Sequence, residues 1–533
     1  CWASSCITRV RQVVIDTRSV LFLASENGAL PGGKVGGVGD VVRDLPVALS
    51  KLGWSATVAT PSYGSLHRVD GAERIGSVEV PYRGRLEPVE TWLVPGSNSG
   101  VRNIVFDHPL FAADGAGLIY FGDEPERPFA TDANKFALFC ASAAEWVAST
   151  SRKPDVVHLH DWHAAMYLLF ARYDERLGAV ANIPTVFTVH NLSYQGTRPL
   201  RGDDSSLEAW FPDLRPDIDA IVDPEHGNCI NPMAAAIRLA DRVSTVSGTY
   251  ADEICRPSDP STGFIGGEGL ESLLNDARAE GRLIGILNGC EYDLPKTRRP
   301  GWMRLLGMCE AQLHDWQRRN PANDAHQLAR QRIAQFPKRR PLHILTSVGR
   351  LVAQKATLLL LDADSGNSPL QRLSAELGRS TVIIVIGSGE PVFEKRMLAV
   401  AHECPNVLFL NGYSELLADP VYAAGDLFLM PSSFEPCGIS QMLAMRAGQP
   451  CVVHGVGGLR DTVVHGDTGF VFDGDTSRAQ ADNFVTATRD ALAWRSDDPA
   501  GWKNMCERAM EQRFSWQLCA ERTVRELYGF NDD

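Results

Sequence analysis

In Ser347-Val348-Gly349-Arg350-Leu351-Val352-Ala353-Gln354-Lys355, two cations stand five residues apart where an apolar run gives way to a loop. Such a pair can converge on one diphosphate and neutralise the charge that grows on a departing phosphate. A solvated basic loop is the other reading. Pro431-Ser432-Ser433-Phe434-Glu435-Pro436-Cys437-Gly438-Ile439-Ser440-Gln441 ends a second run in a carboxylate, then in small residues that can begin a helix; Gly457-Gly458-Leu459 follows. This can set one acid against sugar hydroxyls while helix N–H groups hold phosphate, and an ordinary helix start has the same pattern.

Three further segments belong nearer the start. Lys34-Val35-Gly36-Gly37-Val38-Gly39-Asp40 follows the first apolar run. Its glycines allow a sharp turn and close approach of a ligand to the backbone, with a cation and a carboxylate beside it; a plain strand-to-helix turn would look alike. His158-Leu159-His160-Asp161-Trp162-His163 invites a metal, but strand alternation puts His158 and His160 on one face, and hydrogen-bonded residues at a sheet edge are the preferred reading. Thr188-Val189-His190-Asn191-Leu192-Ser193-Tyr194-Gln195-Gly196 also carries a strand into a polar loop, the place where open α/β sheets bind ligands, although a lone His190 would more often be structural.

The elements that must position these residues are short apolar runs, each followed by a turn and a helix-like stretch. The first series is Val20 to Ala24, Ala56 to Ala59, Asp155 to Leu159, Thr185 to Val189, Arg242 to Val246 and Leu283 to Leu287. The second is His343 to Ser347, Val382 to Gly387, Asn406 to Leu410, Asp426 to Met430, Pro450 to Val453 and Gly469 to Phe472. This alternation predicts α/β domains with parallel sheets covered by helices on both faces. Asp293 to Pro341, rich in Arg, Gln and Trp, reads as helices opening the second domain. Val35-Gly36-Gly37-Val38-Gly39-Asp40-Val41-Val42 is echoed by Val456-Gly457-Gly458-Leu459-Arg460-Asp461-Thr462-Val463, which supports two similar halves.

Composition narrows the class. With 533 residues, one core is too few; two or three domains with a cleft between them are expected. A formal charge of −13 gives no reason to expect a nucleic-acid partner, and no window offers the long apolar run of a bilayer crossing. Twelve cysteines without paired spacing read as reduced thiols in a cytoplasm. Cys1 to Arg18 lacks an apolar core with a small-residue cleavage site and reads as an extension outside the main fold.

In this order the five segments, spread from Lys34 to Thr462, resemble the bacterial glycogen synthase and plant starch synthase family. The resemblance implies the GT-B architecture, two Rossmann-like domains facing a deep cleft. On it the chain divides into an extension at 1–18, an acceptor domain at 19–288, a nucleotide-sugar domain at 289–513, and a C-terminal helix at 514–533 packing back on the first domain. It implies a retaining transfer of glucose from a nucleotide sugar, ADP-glucose before UDP-glucose, to the 4-hydroxyl at the non-reducing end of an α-1,4-glucan or maltooligosaccharide, without a metal ion or other cofactor. Arg350 and Lys355 match the pair gripping the donor phosphates, Glu435 the carboxylate orienting the glucose, and His190 the histidine near the reacting carbon. Lys34, Gly36, Gly37 and Asp40 match the closing loop, Tyr413 the aromatic stacking on the base, and Asp161 and Asn191 polar groups lining the cleft. Gly438 and Ser440 fall in the donor-binding segment, and Gly457, Gly458, Asp461 and Thr462 match a phosphate-binding turn.

The chain departs from the family pattern at Ala356 and Gly248, at Val456 before Gly-Gly, at Cys290-Glu291-Tyr292 and along Ile230 to Ala235. Leu443 stands where broader GT-B transferases often carry a second Glu. The competing expectations are a GT-B enzyme with a non-glucan acceptor and a catalytically silent glucan-binding protein.

Overall fold

Alternate side chains of a strand point to opposite faces, so a strand apolar at every position needs cover on both. That is how most of this chain is built. In the computed structural model, which describes residues 17–292, 298–362 and 366–529, the first domain carries β1 (Ser19–Leu23), β2 (Ser55–Pro61), β3 (Glu73–Tyr82), β4 (Arg85–Val94), β5 (Arg102–Asp107), β6 (Val156–His160), β7 (Thr185–Val189), β10 (Arg242–Thr245) and β11 (Leu283–Gly285). They form one sheet in the order β11-β10-β7-β6-β1-β2-β5-β4-β3. Two short strands, β8 (Arg198–Pro199) and β9 (Cys229–Ile230), pair apart from it. Leu21, Leu23, Leu159 and Phe187 face one core, while Val20, Phe22, Val156 and Val186 face the other.

The second domain has six parallel strands, β12 (His343–Val348), β13 (Thr381–Gly387), β14 (Val407–Asn411), β15 (Leu427–Met430), β16 (Cys451–His454) and β17 (Gly469–Phe472), in the order β14-β13-β12-β15-β16-β17. Alternation again divides its cores: Ile344, Ile384 and Leu408 on one face, Leu345, Ile383 and Val407 on the other. Helices Trp302–Arg319 and Asp324–Gln335 precede the sheet.

The first sheet is not parallel throughout, which corrects the sequence expectation. β3, β4 and β5 were not among the expected strands, and β3–β4 and β4–β5 pair antiparallel. Residues of β3 and β4 alternate between buried and solvated, so neither strand reads as an apolar run. The hairpin between them turns through Arg83 and Gly84, both at positive φ (54° and 73°), and Arg-Gly is a weaker signal for that turn than Asn-Gly.

Cys1 to Asp16 of the expected extension lie outside the described residues; Thr17 accepts a hydrogen bond from Arg152 (2.6 Å). The chain's end crosses to the first domain. Helix Trp516–Arg522 and its continuation bury Trp516, Cys519, Leu527 and Tyr528 among Val38, Val42 and Leu45 of helix Gly37–Lys51. Among the described residues no helix is long and apolar enough to cross a bilayer.

Candidate active site

Strands β10, β7, β6 and β1 are neighbours and parallel, so the loops at their carboxyl ends lie side by side. The loop after β1 brings Glu26, 2 % exposed, beneath the glycine segment. Its Oε2 accepts from the Val35 and Gly36 N–H groups, both at 2.7 Å, and its Oε1 from the Tyr120 hydroxyl at 2.8 Å. Gly36 caps and Gly37 opens helix Gly37–Lys51, in whose first turn Asp40 pairs with Lys34 (2.6 Å) and Arg43 (3.1 Å).

At the end of β6, Asp161 sits at φ 56°, a costly conformation for a residue with a side chain. The position aims its Oδ1 at the backbone N–H of His190 (2.7 Å) and Asn191 (3.4 Å), after β7. Burial pushes this carboxyl up to about 7, with those two N–H groups pulling the other way. Asn191 in turn accepts from the Ser193 N–H (3.0 Å). His190 Nε2 lies 2.8 Å from His160 Nδ1. Burial pushes His158, His163 and His190 down to about 3 and His160 well below its ordinary range, so the rings are neutral, and of each bonded pair one nitrogen donates and the other accepts.

His158 and His160 stack with centroids 4.5 Å apart, and His158 is bonded to the Tyr528 hydroxyl and to Thr188, both at 2.6 Å. Among the described residues no three His, Cys, Asp or Glu side chains converge as a metal donor set.

The second sheet presents β14, β13, β12, β15 and β16 in order, and the expected donor residues follow the same order along its carboxyl edge. Tyr413, after β14, is 55 % exposed. Its hydroxyl is pushed up to about 12, first by partial burial, then by the carboxylates of Glu415 and Asp40, so the first-domain loop lies within electrostatic reach. Arg350, after β12, is exposed and makes no ion pair among the described residues. Lys355, in helix Ala353–Leu360, meets Glu435, after β15, at 3.1 Å, and the Ser432 hydroxyl donates to the same carboxylate oxygen at 3.0 Å. The Glu435 side chain is 6 % exposed and that of Lys355 21 %.

Gly438, at φ +75°, turns the chain into helix Ser440–Arg446, which Ser440 opens. Helix Gly457–Thr462 follows β16. Its Gly457 N–H donates to Glu253 of the first domain (3.0 Å) and its Gly458 N–H to the Glu435 carbonyl (3.1 Å). Asp461 accepts from the Thr249 hydroxyl (2.5 Å) and N–H (3.0 Å), and the Thr462 hydroxyl donates to the Gly458 carbonyl (2.7 Å).

The carboxyl edges of both sheets therefore meet, and Lys355 and Glu435 come into direct contact. Arg350 shares their edge without touching them. Glu26 and Glu253 escaped the sequence reading. The one signal for Glu26 is an acid three residues beyond an apolar strand; Glu253 has none.

The family model described as starch synthase catalytic domain matches residues 19–276, and that of glycosyl transferases group 1 matches residues 330–494. The glycogen synthase of Deinococcus radiodurans is 35% identical over 513 residues, covering 96% of this chain and 99% of the relative. That of Streptococcus sanguinis is 33% identical over 520 residues with the same coverage. The catalytic domain of starch synthase IV from Arabidopsis thaliana, solved bound to ADP and acarbose, matches with a TM-score of 0.73 at 26% identity, over 96% of this chain and 98% of that one. Similarity of this extent reaches past architecture to activity: the chain belongs to the glycogen and starch synthase family of GT-B glucosyltransferases.

Proposed function

We propose that this enzyme moves glucose from ADP-glucose to the 4-hydroxyl at the non-reducing end of an α-1,4-glucan or maltooligosaccharide, keeping the anomeric configuration and using no metal ion. The observation that carries the reading is the Lys355–Glu435 pair, a cation and a carboxylate held 3.1 Å apart on the carboxyl edge of the second sheet. As the bond from glucose to diphosphate stretches, positive charge grows on the sugar and negative charge on the leaving group. Lys355 and the unpaired Arg350 neutralise the second, and Glu435 orients the first. Groups fixed beforehand need no reorganisation as the charge develops.

The Ser440 and Gln441 N–H groups, without partners among the described residues, add donors beside Glu435. Lys34, Gly36, Gly37 and Asp40 close from the first domain, and Tyr413 stacks on the base. His190, pushed down to about 3 and tied to His160, is too weak a base to take the acceptor's proton at neutral pH, and Asp161 is committed to backbone N–H groups. The departing diphosphate takes that proton. The ADP bound to the starch synthase IV relative supports the adenine nucleotide, and ten free cysteines among the described residues support a reducing, cytoplasmic setting.

The test is incubation with ADP-glucose or UDP-glucose and maltooligosaccharide, with products resolved by mass and the new linkage assigned by NMR. Extension in single-glucose steps through α-linkages, faster with ADP-glucose, is expected. Failure to extend with either donor would overturn the reading, and faster extension with UDP-glucose would overturn the donor assignment.

A further inference from the structure

Five interactions join one short first-domain segment to the second domain, two of them to the loop that carries Glu435 and three to helix Gly457–Thr462 beside it. The Ser247 hydroxyl donates to the Pro436 carbonyl at 2.5 Å, and the Tyr250 ring packs 5.4 Å from that of Phe434. Thr249 gives both its hydroxyl and its N–H to Asp461. Glu253, 8 % exposed, accepts from the Gly457 N–H. The next peptide N–H, of Gly458, goes to the carbonyl of Glu435 itself. A first-domain carboxylate and the backbone of Glu435 are thus attached to consecutive N–H groups of one turn.

Nothing else fits between them. Gly457 stands at φ +42°, and a Cβ there would lie 2.0 Å from the Glu435 carbonyl oxygen. The turn is therefore a close crossing of backbones, and a displacement of Glu253 is passed to Glu435 through a single glycine. With the Leu459 and Arg460 N–H groups both bonded to the Val456 carbonyl, every first-turn donor of helix Gly457–Thr462 is already engaged inside the protein.

From this geometry we infer that Glu253 is a positioning residue for the glucosyl transfer, a first-domain acid that fixes the place of Glu435 on the second domain through the Gly457–Gly458 turn. This rests on the role proposed for Glu435. The turn then couples the domains, and Glu435 stands in its working position only while the Ser247–Glu253 segment is docked.

Steady-state turnover of Glu253→Ala, Glu253→Gln, Glu435→Gln and the Glu253→Ala/Glu435→Gln pair tests this, with maltooligosaccharide and whichever nucleotide-glucose the wild type uses. Glu253→Ala should lower kcat at least tenfold with both KM values within twofold. Glu253→Gln, whose amide oxygen still accepts from Gly457, should stay within threefold of wild type. In the Glu435→Gln background the alanine should cost nothing further, because its effect runs through Glu435. If Glu253→Ala does not fold, Thr249→Val removes one bond of the same clasp and should lower kcat at least threefold with KM unchanged. Turnover near wild type in Glu253→Ala, or in Thr249→Val where that variant stands in, or an equal loss with and without Glu435, would overturn the inference. Near-normal turnover of Glu435→Gln alone would instead overturn the proposed role of Glu435.

Discussion

Replacing Lys355 with alanine separates the chemistry from the fold, because the lysine head is partly solvated while its partner is not. At 3.1 Å and an effective dielectric of about 20, two unit charges attract by about 5 kcal/mol before desolvation is counted. Desolvation of Glu435 offsets much of this. The stability cost of the truncation therefore falls between that of an exposed pair, below about 1 kcal/mol, and that of a fully buried one, about 3–5 kcal/mol. About 2 kcal/mol is expected, a drop of roughly 4–8 °C in Tm for a domain of this size. The catalytic cost is larger, since a preorganised group lost from a developing charge removes about 3–4 kcal/mol, or roughly 10²–10³ in kcat. The assay is nucleotide release at 25 °C, where the variant stays folded, beside a thermal melt. A kcat within fivefold of wild type in a folded protein would refute the argument, and so would a loss of rate that simply follows a loss of folded protein.

Gly457→Ala should lower both stability, by about 2 kcal/mol or more, and turnover, because the new methyl meets the Glu435 carbonyl at a positive φ; unchanged urea midpoint and rate would contradict the backbone crossing. Acid should destabilise the fold. His158, His163 and His190 titrate near 3 when folded and near 6.5 when unfolded, so between those values the unfolded chain binds more protons and stability falls as the pH is lowered. Asp161 and Glu253, raised to about 7, act in the opposite sense from about 4 to 7, where the folded state binds more protons. The histidines outnumber them, so urea midpoints should fall modestly from pH 6.5 to 4.5 and steeply below 4, and a midpoint that rises on acidification would refute this balance. EDTA should leave turnover unchanged, whereas a loss restored by a divalent ion would revive a metal role for the histidine segment.

What the sequence made legible follows from how local its causes are. Most strands buried on both faces could be read as apolar runs, since that is a property of five or six consecutive residues. The β3–β4 hairpin could not, because its outer face is solvated and its Arg83-Gly84 turn depends on backbone angles that residue type only weakly signals; β5 is buried from Asn103 to Phe106, but its apolar run is only Ile104-Val105-Phe106, too short to stand out. Lys355 and Glu435 were legible as types at the ends of strands, yet their contact joins residues 80 positions apart, and only the resemblance suggested it. The bond from Tyr528 to His158, spanning 370 positions, left no trace in either segment.

The paired glycine motif shows where pattern reading stops. In sequence, Val35-Gly36-Gly37 and Val456-Gly457-Gly458 each offer backbone N–H groups before a helix, a place suited to an anion. In the fold that anion is supplied by the protein at both copies. Glu26 takes the N–H of Gly36, Glu253 takes that of Gly457, and both acids come from the first domain. An N–H bonded to a buried carboxylate is not open to a phosphate unless the carboxylate leaves, and 2 % and 8 % exposure leaves these two little room to do so. The charge of a leaving diphosphate must then be met elsewhere on the second domain. Among the motif residues, the groups with capacity to spare are Arg350, Lys355 and the N–H groups at the start of helix Ser440–Arg446. The Gly457–Gly458 turn instead ties a first-domain acid to the loop of Glu435, while the Gly36 turn is tied to Glu26 within the first domain.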